Sequence, residues 1–384
     1  MSLNLFKDKG TALERQLFTW SELTPLPISK LDDDAFTRIR ILLMKALEME
    51  ASSFSHACAR MNRALQVPLS IIRRVEEHQG AMISGLLGAD HSVTEVAIAF
   101  EQLAIEVTAA VAQKETDQYL AQVYRFGLLE DFDHLYRYTA LMDRIEGKDA
   151  NIILQNYTDI VEGRATVNEH RDPHDDIKRH YNKNSASILT KLHALTIMAS
   201  KVQIHQYYLN VGPQFSDPTA RQLFVEIASV EEQHLTQYES IIDPQESWLE
   251  KLLIHEANEA YNYYSCMESE SNTRVKSIWE RFLEYELGQL QAAMELFKQF
   301  EKRDPAEVLP QKISAPLPYK SNRDFVRRVL HEEINLISRG KDFSFTEEES
   351  TWTKKYRDHL NSQGSPSEIV SSGYIWRPGT ELSM

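Results

Sequence analysis

Phe224-Val-Glu-Ile-Ala-Ser-Val-Glu-Glu-Gln-His-Leu-Thr-Gln-Tyr238 decides the reading of this chain. Glu231 and His234 stand three residues apart, so on a helix they share one face, a single turn from each other. Turn chemistry brackets the stretch, with Asp217-Pro218 before it and Asp243-Pro-Gln245 after it, which predicts one helix over about 219–242. Its Val230-Glu231-Glu232 matches Val75-Glu76-Glu77 at a shift of 155 residues, without a gap. The same shift pairs Ile72 with Ile227, Leu128 with Leu283 and Leu135 with Leu290. It also pairs Glu50 with His205, Glu101 with Glu256, Asp131 with Glu286, Gln79 with His234 and His134 with Gln289. Five pairs of metal-ligand type inside matching apolar frames predict an internal duplication.

Outward from this repeat the chain reads as helix nearly throughout. No Pro occurs between Pro68 and Pro173, and Gly and Pro number 13 each. The first series runs from Ala35 to about Leu65, from Pro68 to Gly85 or Gly88, from Val93 to about Ala112, and from about Ala121 to Ile145. Leu31-Asp32-Asp33-Asp34 and the 88–92 segment supply cap and turn chemistry, and Lys114–Gln118 reads either as a turn or as a solvated helix face. The second series covers about 184–210, 219–242, 246–267 and 274–302. The expected organisation is all-α: two four-helix bundles in tandem, 1–147 and 184–304, a polar linker at 148–183, and a C-terminal extension, 305–384, packing on the bundles.

The candidate metal ligands are Glu50, Glu76, Glu101, Asp131 and His134 in the first series, and His205, Glu231, His234, Glu256 and Glu286 in the second. Midpoints between most consecutive acids fall at or near turns, so in antiparallel neighbours these side chains reach one layer of a bundle core. Glu231-x-x-His234 and Asp131-x-x-His134 add an imidazole to a carboxylate, a donor set that suits iron or manganese, with zinc a common substitute. Glu48, Glu106, Glu130 and Glu259 lie a turn or less away and are alternatives.

The 224–238 stretch resembles the second helix of the ferritin-like superfamily, rubrerythrin-like proteins above all. There an aromatic, an Ile-Ala, Glu-Glu-x-His and a second aromatic recur in that order. Leu129-Glu-Asp-Phe-Asp-His-Leu-Tyr136 resembles the same element less closely. The resemblance covers about 35–147 and 184–302. It implies a carboxylate-bridged non-haem metal site and oxidoreductase chemistry: reduction of oxygen or a peroxide, or oxidation of iron or a substrate. This chain departs from the pattern at Gln79, His205 and Gln289, which stand where an imidazole, a bridging carboxylate and an imidazole are expected. A metal-free scaffold or partner-binding module with a degenerate site is the competing reading.

Two assemblies fit. Short turns favour two local bundles. Alternatively, the third to sixth helices form one bundle around Glu101, Asp131, His134, His205, Glu231 and His234, with 148–182 as the crossover. Under the local assembly, charge balance makes the first half, with four carboxylates, the better two-ion candidate. The second half then favours one ion held by His205, Glu231, His234 and Glu256.

Composition narrows the function classes. Lys and Arg number 42 against 57 Asp and Glu, a net charge of −15 that repels nucleic acid and anionic lipid. No apolar run reaches membrane length and no signal segment is visible, so a cytoplasmic protein is expected. Cys58 and Cys266 read as core fillers. The expected partners are metal ions and a small oxidant, and a homodimer is left open. His170, His174 and His180, with Asp172, Asp175 and Asp176, read as a solvated loop more than a metal site. Tyr207, Tyr208, Tyr261, Tyr263 and Tyr264 read as helix-packing residues with satisfied hydroxyls.

Overall fold

The computed structural model describes residues 2–30, 33–88, 90–313, 315–345 and 349–378. Leu31 and Asp32 of the expected cap segment, and Ala89 of the expected turn, lie outside them. Among the described residues the class is all-α. The elements in order are β1 (Leu3–Asn4), α1 (Ala35–Met61), α2 (Gln66–Ser84), α3 (Val93–Lys114), α4 (Gln118–Glu146) and α5 (Asn151–Leu154). Then come α6 (Ile188–Val211), α7 (Pro218–Ser240), α8 (Trp248–Ser269), α9 (Thr273–Glu301), β2 (Lys312–Ile313) and α10 (Arg323–Glu333). The hairpin of β3 (Ile337–Arg339) and β4 (Asp342–Ser344), α11 (Thr351–Leu360) and α12 (Pro366–Ser371) complete it. No helix among the described residues is long and apolar enough to cross a membrane.

Side-chain caps set the starts of the last two long helices in each series, and they recur at the 155-residue shift. Ser92 and Ser247 each form a capping box, with Glu95 and Glu250, at the start of α3 and α8. Asp117 and Asn272 cap α4 and α9 by accepting from the two backbone N–H groups that follow their neighbours. Lys114–Gln118 is therefore a turn with its own cap. Both of these helices end on a left-handed residue, Gly147 at φ 62° and Lys302 at φ 58°. As a result α3 and α8 are each 22 residues long, and α4 and α9 each 29, in register under the shift.

Packing divides the chain into two compact units. The first comprises Met1–Asp90, Tyr181–Ala199 and Asp243–Tyr319, and the second His91–His180, Ser200–Ile242 and Lys320–Met384. The first unit thus contains α1, α2, the start of α6, α8 and α9. The second contains α3, α4, the end of α6, α7 and the last three helices. This grouping differs from a local one in which 1–147 and 184–304 are separate bodies, because each unit draws long helices from both series. Short turns make α1 and α2, α3 and α4, or α8 and α9 neighbours, but do not fix which pairs share a core.

In the second unit, 148–180 is not a solvated linker. Thr166, Glu169, His170, Arg171, Asp176 and Lys178 in it are all buried. Gly163 allows this, since a Cβ there would meet the Leu129 carbonyl oxygen at 2.2 Å and the Asp133 nitrogen at 2.6 Å. The close approach lets Arg164 N–H donate to the Leu129 carbonyl at 2.8 Å and Thr166 N–H to Asp133 Oδ2 at 2.7 Å. The segment is thereby fastened to α4. The C-terminal part of this unit packs similarly, with the α12 N-terminus donating from Ser367 N–H to buried Glu226 of α7 at 2.7 Å.

Candidate metal centre

In the second unit, four helices converge on one buried polar cluster. Glu101 comes from α3, Asp131 and His134 from α4, Lys201 from α6, and Glu231 and His234 from α7, and all six are fully buried. One donor atom each from Glu101, Asp131, His134 and Glu231 lies within 4.8 Å of the others. The two imidazoles are held alike. His134 Nε2 lies 2.9 Å from Glu169 Oε2, and His234 Nε2 lies 2.6 Å from Glu130 Oε2. Each Nδ1 then faces the cluster. That of His134 is 3.2 Å from Glu231 Oε1, and that of His234 is 3.4 Å from Asp131 Oδ1 and 3.6 Å from Glu231 Oε1. A carboxylate on the far ring nitrogen fixes the tautomer and leaves the near nitrogen as a donor, the usual support of a metal-bound histidine.

Lys201 supplies a cation in the same layer. Its Nζ donates to Asp131 Oδ1 and lies 2.9 Å from Glu231 Oε2. Burial alone raises the Glu231 carboxyl, but Lys201 and the two histidines outweigh it and hold the group well below its ordinary value. Glu101 behaves oppositely. Burial pushes it up to about 8 despite His134, and Tyr208 donates to its Oε1 at 2.5 Å. Burial lowers His234, yet its carboxylate neighbours Glu130 and Glu231 bring it up to about 9. Buried atoms of the cluster, Glu101 Oε2, Asp131 Oδ2 and His234 Nδ1 among them, make no hydrogen bond. Buried polar atoms without partners are costly, and here they converge.

The outer layer comes largely from 165–178. Arg171 Nη1 donates to both Glu130 oxygens at 2.8 and 3.0 Å, and its Nε donates to Asp176 at 2.6 Å. Burial would raise the Glu130 carboxyl, but Arg171, His234 and Arg164 hold it far below the usual range. Burial pushes Glu169 up to about 8 against the pull of His134. A cavity of about 380 Å³ is lined by Arg164, Glu169, His170 and Arg171 among others. Glu169, which lines it, is the carboxylate that holds His134.

The first unit gathers a different set. Glu48 of α1, Glu76 and Gln79 of α2, Glu256 and Glu259 of α8, and Glu286 and Gln289 of α9 are all buried. Gln79 Nε2 donates to Glu286 Oε1 at 2.6 Å, Gln289 Nε2 donates to Gln79 Oε1 at 2.9 Å, and Tyr263 donates to Glu48. Burial, followed by mutual repulsion, pushes Glu48, Glu256 and Glu259 well above the ordinary carboxyl value. Glu76 rises to about 7 and Glu286 to about 8, again chiefly from burial.

The ten residues read from sequence therefore separate. Glu101, Asp131, His134, Glu231 and His234 meet in the second unit, and Glu76, Glu256 and Glu286 meet in the first. Glu50 lies apart, 2.9 Å from His255 Nε2, which stacks on Phe54 at 3.9 Å. His205 also lies apart, facing Glu232 at 3.7 Å, while Lys201, one turn earlier, occupies the central layer. The four-donor set His205, Glu231, His234 and Glu256 does not form, since Glu256 belongs to the first unit, and neither half assembles its own five residues. Of the alternatives, Glu48 and Glu259 are central, Glu130 is an outer partner, and Glu106 binds Thr158 and Asn322 instead. His170 is buried and His174 exposed on Asp172, so these two do not converge. Tyr208 and Tyr263 have satisfied hydroxyls, and those hydroxyls reach the two acid clusters. Lys201, Glu169 and Arg171 were not singled out by sequence. A lone Lys in the apolar run Leu195–Ile204 was the available signal for the first. No protein-family model, curated protein or solved structure matches the chain.

Proposed function

We propose that the second unit holds a transition metal, iron foremost with manganese or zinc as substitutes, on Glu101, Asp131, His134, Glu231 and His234. The observation that carries this reading is the paired placement of two buried imidazoles, each anchored by a carboxylate at Nε2, with Nδ1 of His134 facing Glu231 and Glu101 and Nδ1 of His234 facing Asp131 and Glu231. The charges fit one divalent ion. Three central carboxylates against the Lys201 ammonium leave two negative charges, which a second ion would overfill. The bound metal would supply Lewis acidity and, as iron or manganese, a redox couple for reducing oxygen or a peroxide.

The residues have definite parts in this reading. Glu130 and Glu169 fix both rings, Arg171 keeps Glu130 ionised, and the bundle core excludes water. The cavity lined by Glu169 is the approach for a small oxidant. The wider assignment is a ferritin-like protein of two four-helix bundles descended from a duplication, supported by the recurrence of caps and helix lengths at 155 residues. A reducing, cytoplasmic setting suits two free, buried thiols. One observation favours a metal-free reading: the Lys201 ammonium already offsets Asp131 and Glu231.

Elemental analysis of protein purified without chelator separates the two. Wild type should carry transition metal, and Glu231→Ala with His234→Ala should lose it from the second unit. Iron-loaded wild type should also consume peroxide faster than that variant. A folded wild type that takes up no transition metal at the second unit, even after reconstitution with ferrous iron, refutes the metal reading.

A further inference from the structure

We infer that the first unit contains a second cation site built only from oxygen donors, selecting a hard divalent ion such as manganese, magnesium or calcium. The donors are Glu48, Glu76, Glu256, Glu259 and Glu286, with the Gln289 carbonyl. Oxygen atoms of Glu256, Glu259 and Glu286 lie within 4.8 Å of one another. Acidic residues grouped in space do not make a site by themselves, but two further features point to a ligand. Glu259 is 2% exposed and neither of its carboxylate oxygens has a hydrogen-bond partner. Gln289 is fully buried. Its amide nitrogen is spent on Gln79 and on Glu286, 3.3 Å away, while its carbonyl oxygen has no partner.

Among the described residues, His255 and Arg73 draw down Glu76, and no cation acts in the same way on Glu48, Glu256, Glu259 or Glu286. Both of these cations are themselves engaged, His255 with Glu50 and Arg73 with Ser55. Gln79 and Gln289 stand at the places that His234 and His134 take in the other unit under the 155-residue shift. An amide there donates a hydrogen bond or offers a neutral oxygen, but gives no nitrogen lone pair. The set therefore excludes the softer preference of an imidazole site and matches hard cations that take six or more oxygens. The two units would thus select different ions.

The test uses full-length protein stripped with chelator and dialysed against manganese, with bound ions counted and electron spin-echo modulation recorded. His134→Ala with His234→Ala should retain manganese that shows no nitrogen modulation. Glu259→Gln with Glu286→Gln should lose that population and keep a nitrogen-coupled ion in the second unit. Near-isosteric amides preserve volume, and a cooperative melt checks folding. If the histidine variant binds no manganese, the inference fails irrespective of how the glutamine variant folds. If the glutamine variant is folded and binds as much as wild type, it fails as well. Wild type that binds manganese with no nitrogen-coupled population would overturn the proposed centre of the second unit instead, so the two failures are distinct.

Discussion

Lys201→Glu reverses the charge of the ammonium seated on Asp131 and Glu231, and its consequences follow from counting charges in the fully buried layer. Wild type sets three carboxylates against one ammonium, a balance of two negative charges. The variant has four carboxylates and no ammonium. Without metal, Asp131 and Glu231 lose the ammonium and keep only their histidine neighbours, which costs about 3–5 kcal/mol for a broken buried pair. Protonation of the introduced carboxyl limits the loss to that range. With divalent metal the sign changes, because four carboxylates balance two ions. The second unit should then bind two ions in place of one, and the added ion returns about 2.7 kcal/mol when free metal is 100 times its dissociation constant. Urea unfolding with and without chelator, beside elemental analysis, reads both quantities. Carrying Glu259→Gln and Glu286→Gln in the background removes any contribution from the first unit. Lys201→Met is the control, deleting the charge without adding a ligand. A chelated variant as stable as wild type would show that the ammonium holds no buried charge. A variant that still binds one ion would show that Lys201 does not occupy the place of a second.

Arg171→Leu should destabilise the second unit by about 3–5 kcal/mol in urea, since Glu130 and Asp176 are left buried without their shared guanidinium. Arg171→Lys should recover only part of this, because one ammonium cannot replace both contacts. Chelated protein should lose stability as pH rises. Glu101 and Glu169 are raised to about 8 and His234 to about 9, so the folded state holds protons that the unfolded chain has already released. This stabilisation is complete below the unfolded values of these groups, declines through the window from about 4.5, and is spent above about 9. Metal that replaces those protons should flatten the slope, and denaturation midpoints between pH 6 and 9 with and without metal check it. Native Cys58 and Cys266 should resist alkylation at pH 8 and react on unfolding. Burial pushes the thiols up to about 11 and about 12, leaving about one in a thousand or fewer as thiolate.

The helices, their caps and the 155-residue recurrence were legible because all three are local. Ser92 and Ser247 announce α3 and α8 through a hydroxyl and a Glu three residues on, which needs no knowledge of the rest of the fold. The grouping of helices was not local. The turn at Gly85–Ser92 closes α2 and opens α3 whether α3 returns to the same core or enters another, so sequence order favoured the nearer partner. The buried 165–178 stretch was missed for a related reason. Its Asp, His and Arg residues read as solvated because their partners, Glu130, Asp133 and His134, lie on α4, and only Gly163 hinted that the backbone comes close.

Register within a turn decided which residues reach the centre. His205 and Lys201 are four residues apart on α6, hence on one face, and a shift of one turn, about 6 Å along the axis, decides which of them lies in the layer of Glu231. A histidine is the better metal ligand, which favours His205 when ligands are chosen by type. The surroundings favour Lys201. It lies in the apolar run Leu195–Ile204, whereas His205 is followed by Gln206 and Tyr207, where the helix turns partly to solvent. An ammonium in such a run must find carboxylates in the core, because four methylenes cannot carry it to water from a fully buried position. The same logic separates Glu48 from Glu50 on α1. Glu48 is 4% exposed and accepts from Tyr263, while Glu50, two residues on, turns off that face to meet His255 at 2.9 Å. In both helices the acid or cation that the core has to neutralise marks the central layer better than the residue with the most familiar metal chemistry.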